Sequence, residues 1–145
     1  TFDCSTSGKS LLASAGSRLP VTAKLKGNAI ARYEFPVADW DGHVQFAVNH
    51  IGSRKSDLRP AQNAIKGDLG AYTTADFSVG VKSDLWSIEA FATNLFDTRG
   101  IVNTGVQCLE TVCGTGVTPA TPTGGAFYDV LIKPRLIGVK FSRDF

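Results

Sequence analysis

The chain has 145 residues, 43% hydrophobic and 19% charged, with a formal net charge of +2. That balance is too apolar for a disordered chain, and the near-neutral charge gives no electrostatic case for nucleic acid. No run of about 18 apolar residues occurs, which excludes a membrane-spanning helix but not a β-barrel, whose strands cross by alternation.

The chain contains no Met. Its start, Thr1-Phe2-Asp3-Cys4, has neither the basic residues nor the apolar run of a signal peptide. The sequence therefore reads as a fragment or a matured product. The residues up to about Pro20 are rich in Ser and Gly and allow at most a partial strand.

The dominant signal beyond Pro20 is period two. In residues 28–35, Ala29, Ala31, Tyr33 and Phe35 fall on one face, and Asn28, Ile30, Arg32 and Glu34 on the other. Pro36 is expected to end this strand, with a turn over residues 38–42. Val44, Phe46 and Val48 then oppose His43, Gln45, Ala47 and Asn49. Residues 52–67 form a polar connection. In the next run Ala75, Phe77, Val79 and Val81 oppose Thr74, Asp76, Ser78, Gly80 and Lys82. Ser83-Asp84 makes a tight turn, and Trp86, Ile88, Ala90 and Ala92 follow against Ser87, Glu89, Phe91 and Thr93. A short strand is expected at 101–106, a Gly/Thr/Pro-rich loop at 108–125, and one long run at 127–145. No convincing amphipathic helix is found.

These runs predict an all-β chain: an antiparallel up-and-down meander of about six strands. Two architectures share that pattern. A soluble sandwich buries the apolar face against a second sheet, whereas a barrel wall turns it to lipid. Aromatics near the strand ends (Tyr33, Phe35, Trp86, Phe141, Phe145) and mid-strand charges on the other face (Arg32, Asp76, Glu89, Lys140) favour an open segment of a transmembrane barrel.

The last run reads Pro134-Arg135-Leu136-Ile137-Gly138-Val139-Lys140-Phe141-Ser142-Arg143-Asp144-Phe145. It alternates and closes on an aromatic. It resembles the final strand of TonB-dependent outer-membrane receptors, and Asn94-Leu95-Phe96-Asp97 resembles another hallmark of that family. Tyr72-Thr73-Thr74-Ala75-Asp76 resembles the family's Tyr-x-x-x-Asp strand start, and Leu19-Pro20 followed by Tyr33 is also similar. The likeness runs from about Leu19 to Phe145. Arg143 departs from it, standing where an apolar residue is usual; near the rim its charged head can snorkel to water.

The resemblance implies a barrel of about 22 strands with a plug in its lumen, of which residues 1–145 supply a C-terminal fragment. It implies that Gly138, Phe141 and Phe145 form a signal read by the barrel-assembly machinery. It further implies a place in the bacterial outer membrane, in contact with lipid, with the missing strands and plug, and with the TonB complex through regions outside this chain. The expected activity is energised uptake of a scarce solute such as an iron–siderophore complex, cobalamin or a glycan. Arg32, Asp76, Glu89 and Lys140 are then lumen-facing. Counting strands back from a periplasmic C-terminus places the 108–125 loop outside and Asn94 to Asp97 at the periplasmic end. The same count puts the long 52–67 connection on the periplasmic side, where turns are short, so part of that stretch is expected to be strand. The alternative is a secreted or surface β-sandwich that binds a partner.

Cys108 and Cys113 bracket a short loop. They are either two free thiols or a disulfide closing an exposed loop, the reading an oxidising compartment favours. Cys4 is left over, and Cys108 and Cys113 alone cannot make a Cys-only zinc site.

No catalytic set is found, and neither enzyme activity nor a cofactor is expected. Gly8-Lys9-Ser10 lacks the earlier Gly of a phosphate loop, since Asp3 stands there. His43 and His50 differ in parity, so a strand would separate them. Asp76 and Glu89 are expected to pair across strands with Lys82 or Arg32. Trp40 and Trp86 read as interface anchors, with a ligand contact at the outer mouth as a second role for Trp40.

Overall fold

A computed structural model describes residues 16–106 and 127–143. Cys4, Cys108, Cys113, Asp144 and Phe145 lie outside the described residues. The described chain holds β1 (Lys26–Val37), β2 (Trp40–Ile51), β3 (Arg54–Lys55), α1 (Pro60–Lys66), β4 (Asp68–Leu69), β5 (Tyr72–Lys82), β6 (Trp86–Thr93), β7 (Ile101–Val106), β8 (Phe127–Leu131) and β9 (Leu136–Arg143). The all-β expectation holds.

The chain divides into two compact units. The first is an open antiparallel sheet of five strands in the order β1-β2-β5-β6-β9. Its register keeps the period-two faces aligned throughout: Tyr33 pairs with Val44, Val44 with Val79, Val79 with Ala90, and Ala90 with Val139. Because a one-residue slip would move every apolar side chain to the other face, the alternation itself fixes this register.

β1 continues through Pro36 to Val37, longer than expected. Pro lacks a donor, and an edge strand tolerates it because one side has no ladder partner. The β1–β2 hairpin closes through Ala38 and Asp39, with Ala38 in the left-handed region at φ 55°. Such a short loop matches strand twist only with a positive φ, at some steric cost for Ala.

The second unit is built from connecting segments, with β3 pairing β4 and β7 pairing β8. The 52–67 connection, expected to be partly strand, holds the two-residue strand β3 and the seven-residue helix α1. Pro60 opens α1, and Gly67, at φ 78°, caps it by donating to the Asn63 carbonyl. Asn63 organises the segment. Its Oδ1 accepts from the Ser56 and Asp57 N–H groups, and its Nδ2 donates to Asp68. Asp57 takes side-chain hydrogen bonds from Arg59 and Lys66, and these hold its carboxyl well below the usual carboxylate range. Leu69, 2% exposed, is buried in this unit.

The long run expected at 127–145 is two elements. β8 pairs with β7, β9 pairs with β6, and residues 132–135 separate them. The sheet therefore has five strands, and the 101–106 strand does not extend it.

Candidate functional site

The faces and the ends of the sheet are the features that can act. On one face stand Ala29, Tyr33, Phe46, Phe77, Val79, Ile88, Ile137, Val139 and Phe141, joined strand to strand by the register. Most of the large ones are exposed: Tyr33 67%, Ile137 69%, Val139 72%. Among the described residues of this unit, the buried hydrophobic ones are Ala75 and Ala92. A contiguous apolar face of this extent is rare on a monomer facing water.

The opposite face carries Arg32, Asp76, Glu89 and Lys140, as expected from parity. Their partners differ from the expectation. Arg32 pairs with Glu34 on its own strand at 2.8 Å. Asp76 accepts the Asn94 N–H at 2.8 Å. Glu89 stands opposite Lys140 in the register, and its Oε2 lies 3.3 Å from His43 Nε2. That contact skips a strand. His43 is on β2 and Glu89 on β6, and Gly80 of β5 lies between them. A Cβ on Gly80 would sit 2.7 Å from His43 Cε1, so the missing side chain is what lets the imidazole lie across. His43 Nε2 is buried and the carboxylate is not aligned to hydrogen-bond it. Sequence reading passed over this contact, although an interior strand Gly marks a close approach.

The two ends of the sheet differ as well. At one end are the β1–β2 hairpin, the 83–85 turn and the Arg143 end of β9. Aromatics cluster here. Tyr33 stacks on Phe35 at 5.8 Å, Trp86 lies 5.1 Å from Phe141, and the Arg143 guanidinium sits 4.6 Å over Trp86. Trp40, opposite Val37, belongs to this end and to the apolar face.

From the other end leave the 52–71 and 94–135 connections. This corrects the placement of Asn94-Leu95-Phe96-Asp97, which lies beside the start of β9 and not at the Arg143 end. The count failed because β7 and β8 pair only with each other and do not cross the sheet. The 52–67 connection likewise leaves β2 from this end, since Ile51 pairs with Tyr72.

The motif residues meet at this end in one knot. Asn94, 5% exposed, donates from Nδ2 to the Thr98 and Lys133 carbonyls at 3.0 Å each, and its Oδ1 accepts the Thr98 N–H at 2.9 Å. The Leu95 N–H bonds the Ala75 carbonyl, while Phe96 is 70% exposed. Asp97 accepts the Arg135 N–H at 3.0 Å, and that bond, with Arg99 beside it, holds its carboxyl below the usual range. Asn94 and Asp97 both have positive φ, near 50°, which Asn and Asp tolerate better than most residues. Tyr72 packs over Gly100, and Phe91 over Gly138. Asn94, Asp97, Asp76, the Lys133 carbonyl and the Arg135 N–H thus close a corner of the sheet. They are structural residues, and Gly138 leaves the room that the Phe91 ring occupies.

Grooves run along the polar face, one towards each end of the sheet. The one at the tight-turn end has a volume of about 520 Å³ and is walled by Arg32, Glu34, Asp41, Lys82, Glu89 and Lys140. The one at the long-connection end has about 720 Å³ and is walled mainly by amides, hydroxyls and aliphatic groups. Among the described residues no cluster of His, Cys, Asp and Glu could hold a metal ion. No family model, curated protein or solved structure matches the chain, so its function has to be read from these faces and ends.

Proposed function

We propose that this chain is part of the C-terminal wall of a TonB-dependent outer-membrane receptor, a β-barrel that imports a scarce solute. One observation carries the reading: an exposed apolar face runs unbroken across all five strands, back to back with a charged one. A sandwich would bury that face. Lipid accepts it, and the charged face then lines an aqueous lumen.

Three further features support the reading. Tight turns gather at one end and long connections at the other, the asymmetry of outer-membrane barrels. Aromatics line the apolar face at the tight-turn end, as in an interfacial girdle. On β9 the apolar positions Ile137, Val139 and Phe141 lie between Arg135 and Arg143, about 26 Å apart along an extended chain. The apolar band of such barrels is about 25 Å tall.

The edges state what is missing. β1 and β9 both run from the long-connection end to the tight-turn end. An antiparallel barrel can join two such edges only through an odd number of further strands, giving the even total usual for bacterial barrels. Lipid does not tolerate open edges, so this sheet works only as part of a larger wall. The solute, the plug and the TonB contact belong to the whole receptor.

The test is folding with and without lipid. The chain should aggregate in buffer and give β circular dichroism in micelles. Val79→Lys, on the apolar face, should lower stability in lipid by about 2–4 kcal/mol. Ser78→Lys, one residue along on the polar face, should change it by less than about 0.5 kcal/mol. A soluble monomer that unfolds cooperatively in buffer would return the chain to the sandwich class.

A further inference from the structure

The apolar face carries a guanidinium at its tight-turn rim. Arg143 pairs with Trp86 in the β6–β9 register and so shares the face of Val139 and Phe141. The family pattern has an apolar residue here, so the cation is a property of this chain. Arg143 is exposed, and its guanidinium lies 4.6 Å over the Trp86 ring. Trp86 in turn lies 5.1 Å from Phe141, which is 61% exposed. No Asp or Glu stands on this face within the five strands, so the strands set no negative charge against an anion there.

We infer that Arg143, held on Trp86, binds the phosphodiester of a membrane phospholipid. Stacking on the indole uses the face of the guanidinium, while its N–H donors lie in its plane. That fork matches two oxygens of one phosphate. The depth agrees. Arg143 stands two strand residues beyond Phe141, roughly 7 Å along the chain. Indole rings at a rim sit at headgroup level, and phosphates lie just outside the hydrocarbon. A guanidinium stacked on such a ring is level with phosphate, not with acyl chain. Phe141, beside Trp86, offers an apolar surface to the first methylenes of the same lipid. A cation that only snorkels gains hydration. A stacked one is already ordered and gives up less freedom on binding. The inference rests on the barrel reading, because only in a lipid-facing wall does this rim meet headgroups.

The experiment uses the chain in maltoside micelles, which carry no phosphate, with the Arg143 Nε–H signal followed by NMR. Dihexanoyl-phosphatidylglycerol, dihexanoylglycerol and inorganic phosphate are the probes. The phospholipid should shift the signal saturably, and the phosphate-free glyceride should not. Inorganic phosphate, lacking the acyl chains, should bind at least about tenfold more weakly than the phospholipid. The variants are read by Trp86 fluorescence in a Trp40→Phe background. Arg143→Gln should weaken phospholipid binding about tenfold or more. Arg143→Lys keeps the charge without the fork and should fall between. Arg99→Gln, at the long-connection end, should leave binding unchanged. A silent Arg143 signal, an equal response to the glyceride, or inorganic phosphate binding as tightly as the lipid overturns the inference. A chain that is monomeric in buffer without detergent overturns the barrel reading and this inference with it. Micelle-dependent folding with a silent Arg143 overturns this inference alone.

Discussion

The two ends of the five-stranded sheet solve opposite problems with the same strands. At the tight-turn end the chain reverses within a few residues, the aromatics stack, Arg32 pairs with Glu34, and Glu89 lies beside His43. At the other end the strands hand over to long connections, and the knot around Asn94 adds bonds from the end of β6 to β5 and to the residues before β9. Below that knot lies the row Asn28, Asn49 and Thr74, whose side chains make no hydrogen bond among the described residues. One end holds itself together. The other is tied by the bonds of Asn94, Asp76 and Asp97.

The comparison breaks most easily at Asn94. Asn94→Leu removes the side-chain bonds to Thr98 and Lys133 and leaves those backbone groups without partners. It also forces a left-handed backbone on a branched side chain. The expected loss is about 3–4 kcal/mol, read by urea unfolding in micelles. The damage should localise. Amide exchange should accelerate at Thr98 and at the start of β9, while β1–β2 hairpin amides stay protected. A uniform acceleration would mean the two ends are not separable.

At the tight-turn end the corresponding break is Gly80→Ala. The added Cβ would sit 2.8 Å from the Ile88 carbonyl, which is backbone and cannot swing away, and 2.7 Å from His43. Overpacking of this kind costs about 1–3 kcal/mol. His43→Ala in the same chain should restore part of that loss, because it removes the side-chain half of the clash. If the double variant is as unstable as the sum of the singles, His43 does not lie over Gly80.

Much of this fold was legible from parity. The faces of β1, β2, β5, β6 and β9 follow from alternation alone, because a strand has only two faces and apolar residues fill one of them. What parity cannot give is which strands are neighbours. β7 alternates too little to be assigned to a face, so counting it as a crossing strand reversed the ends and misplaced Asn94. Helix α1 escaped because seven residues carry under two turns of periodicity. Its Pro60 and Gly67 boundaries were visible, but they read equally well as a loop. The motif residues were found as a likeness. Their joint role in one corner needed the register, since Asp76, Asn94 and Arg135 are far apart in the chain.

A smaller change sharpens the tight-turn end. Ala38 closes the β1–β2 hairpin with φ 55°, where an L side chain crowds the following carbonyl. Ala38→Gly should stabilise the sheet by about 0.5–1 kcal/mol, the relieved strain outweighing the extra freedom of Gly in the unfolded chain. An upward shift of the unfolding midpoint with an unchanged slope would confirm it. A loss of stability would show that the backbone at Ala38 is not left-handed.

The smallest effect expected is a pH dependence confined to connecting residues. Asp97 has its folded pKa lowered by the Arg135 N–H first and by Arg99 second. Asp57 is lowered by Arg59 and Lys66. A carboxyl whose folded pKa lies below its unfolded one stabilises the fold above the unfolded value, about 3.9. That contribution disappears as pH falls through the lower folded value. The fold should therefore be indifferent to these groups from neutrality down to about pH 4, and lose their support only below it. The Arg135 amide shift reports Asp97 directly, because its N–H points at Oδ1 from 3.0 Å. Its titration midpoint should fall below about 3.9, and Asp97→Asn should abolish the titration while keeping an acceptor in place. A midpoint at or above the ordinary Asp value would mean the carboxylate does not hold the start of β9, and the corner would then rest on Asn94 alone.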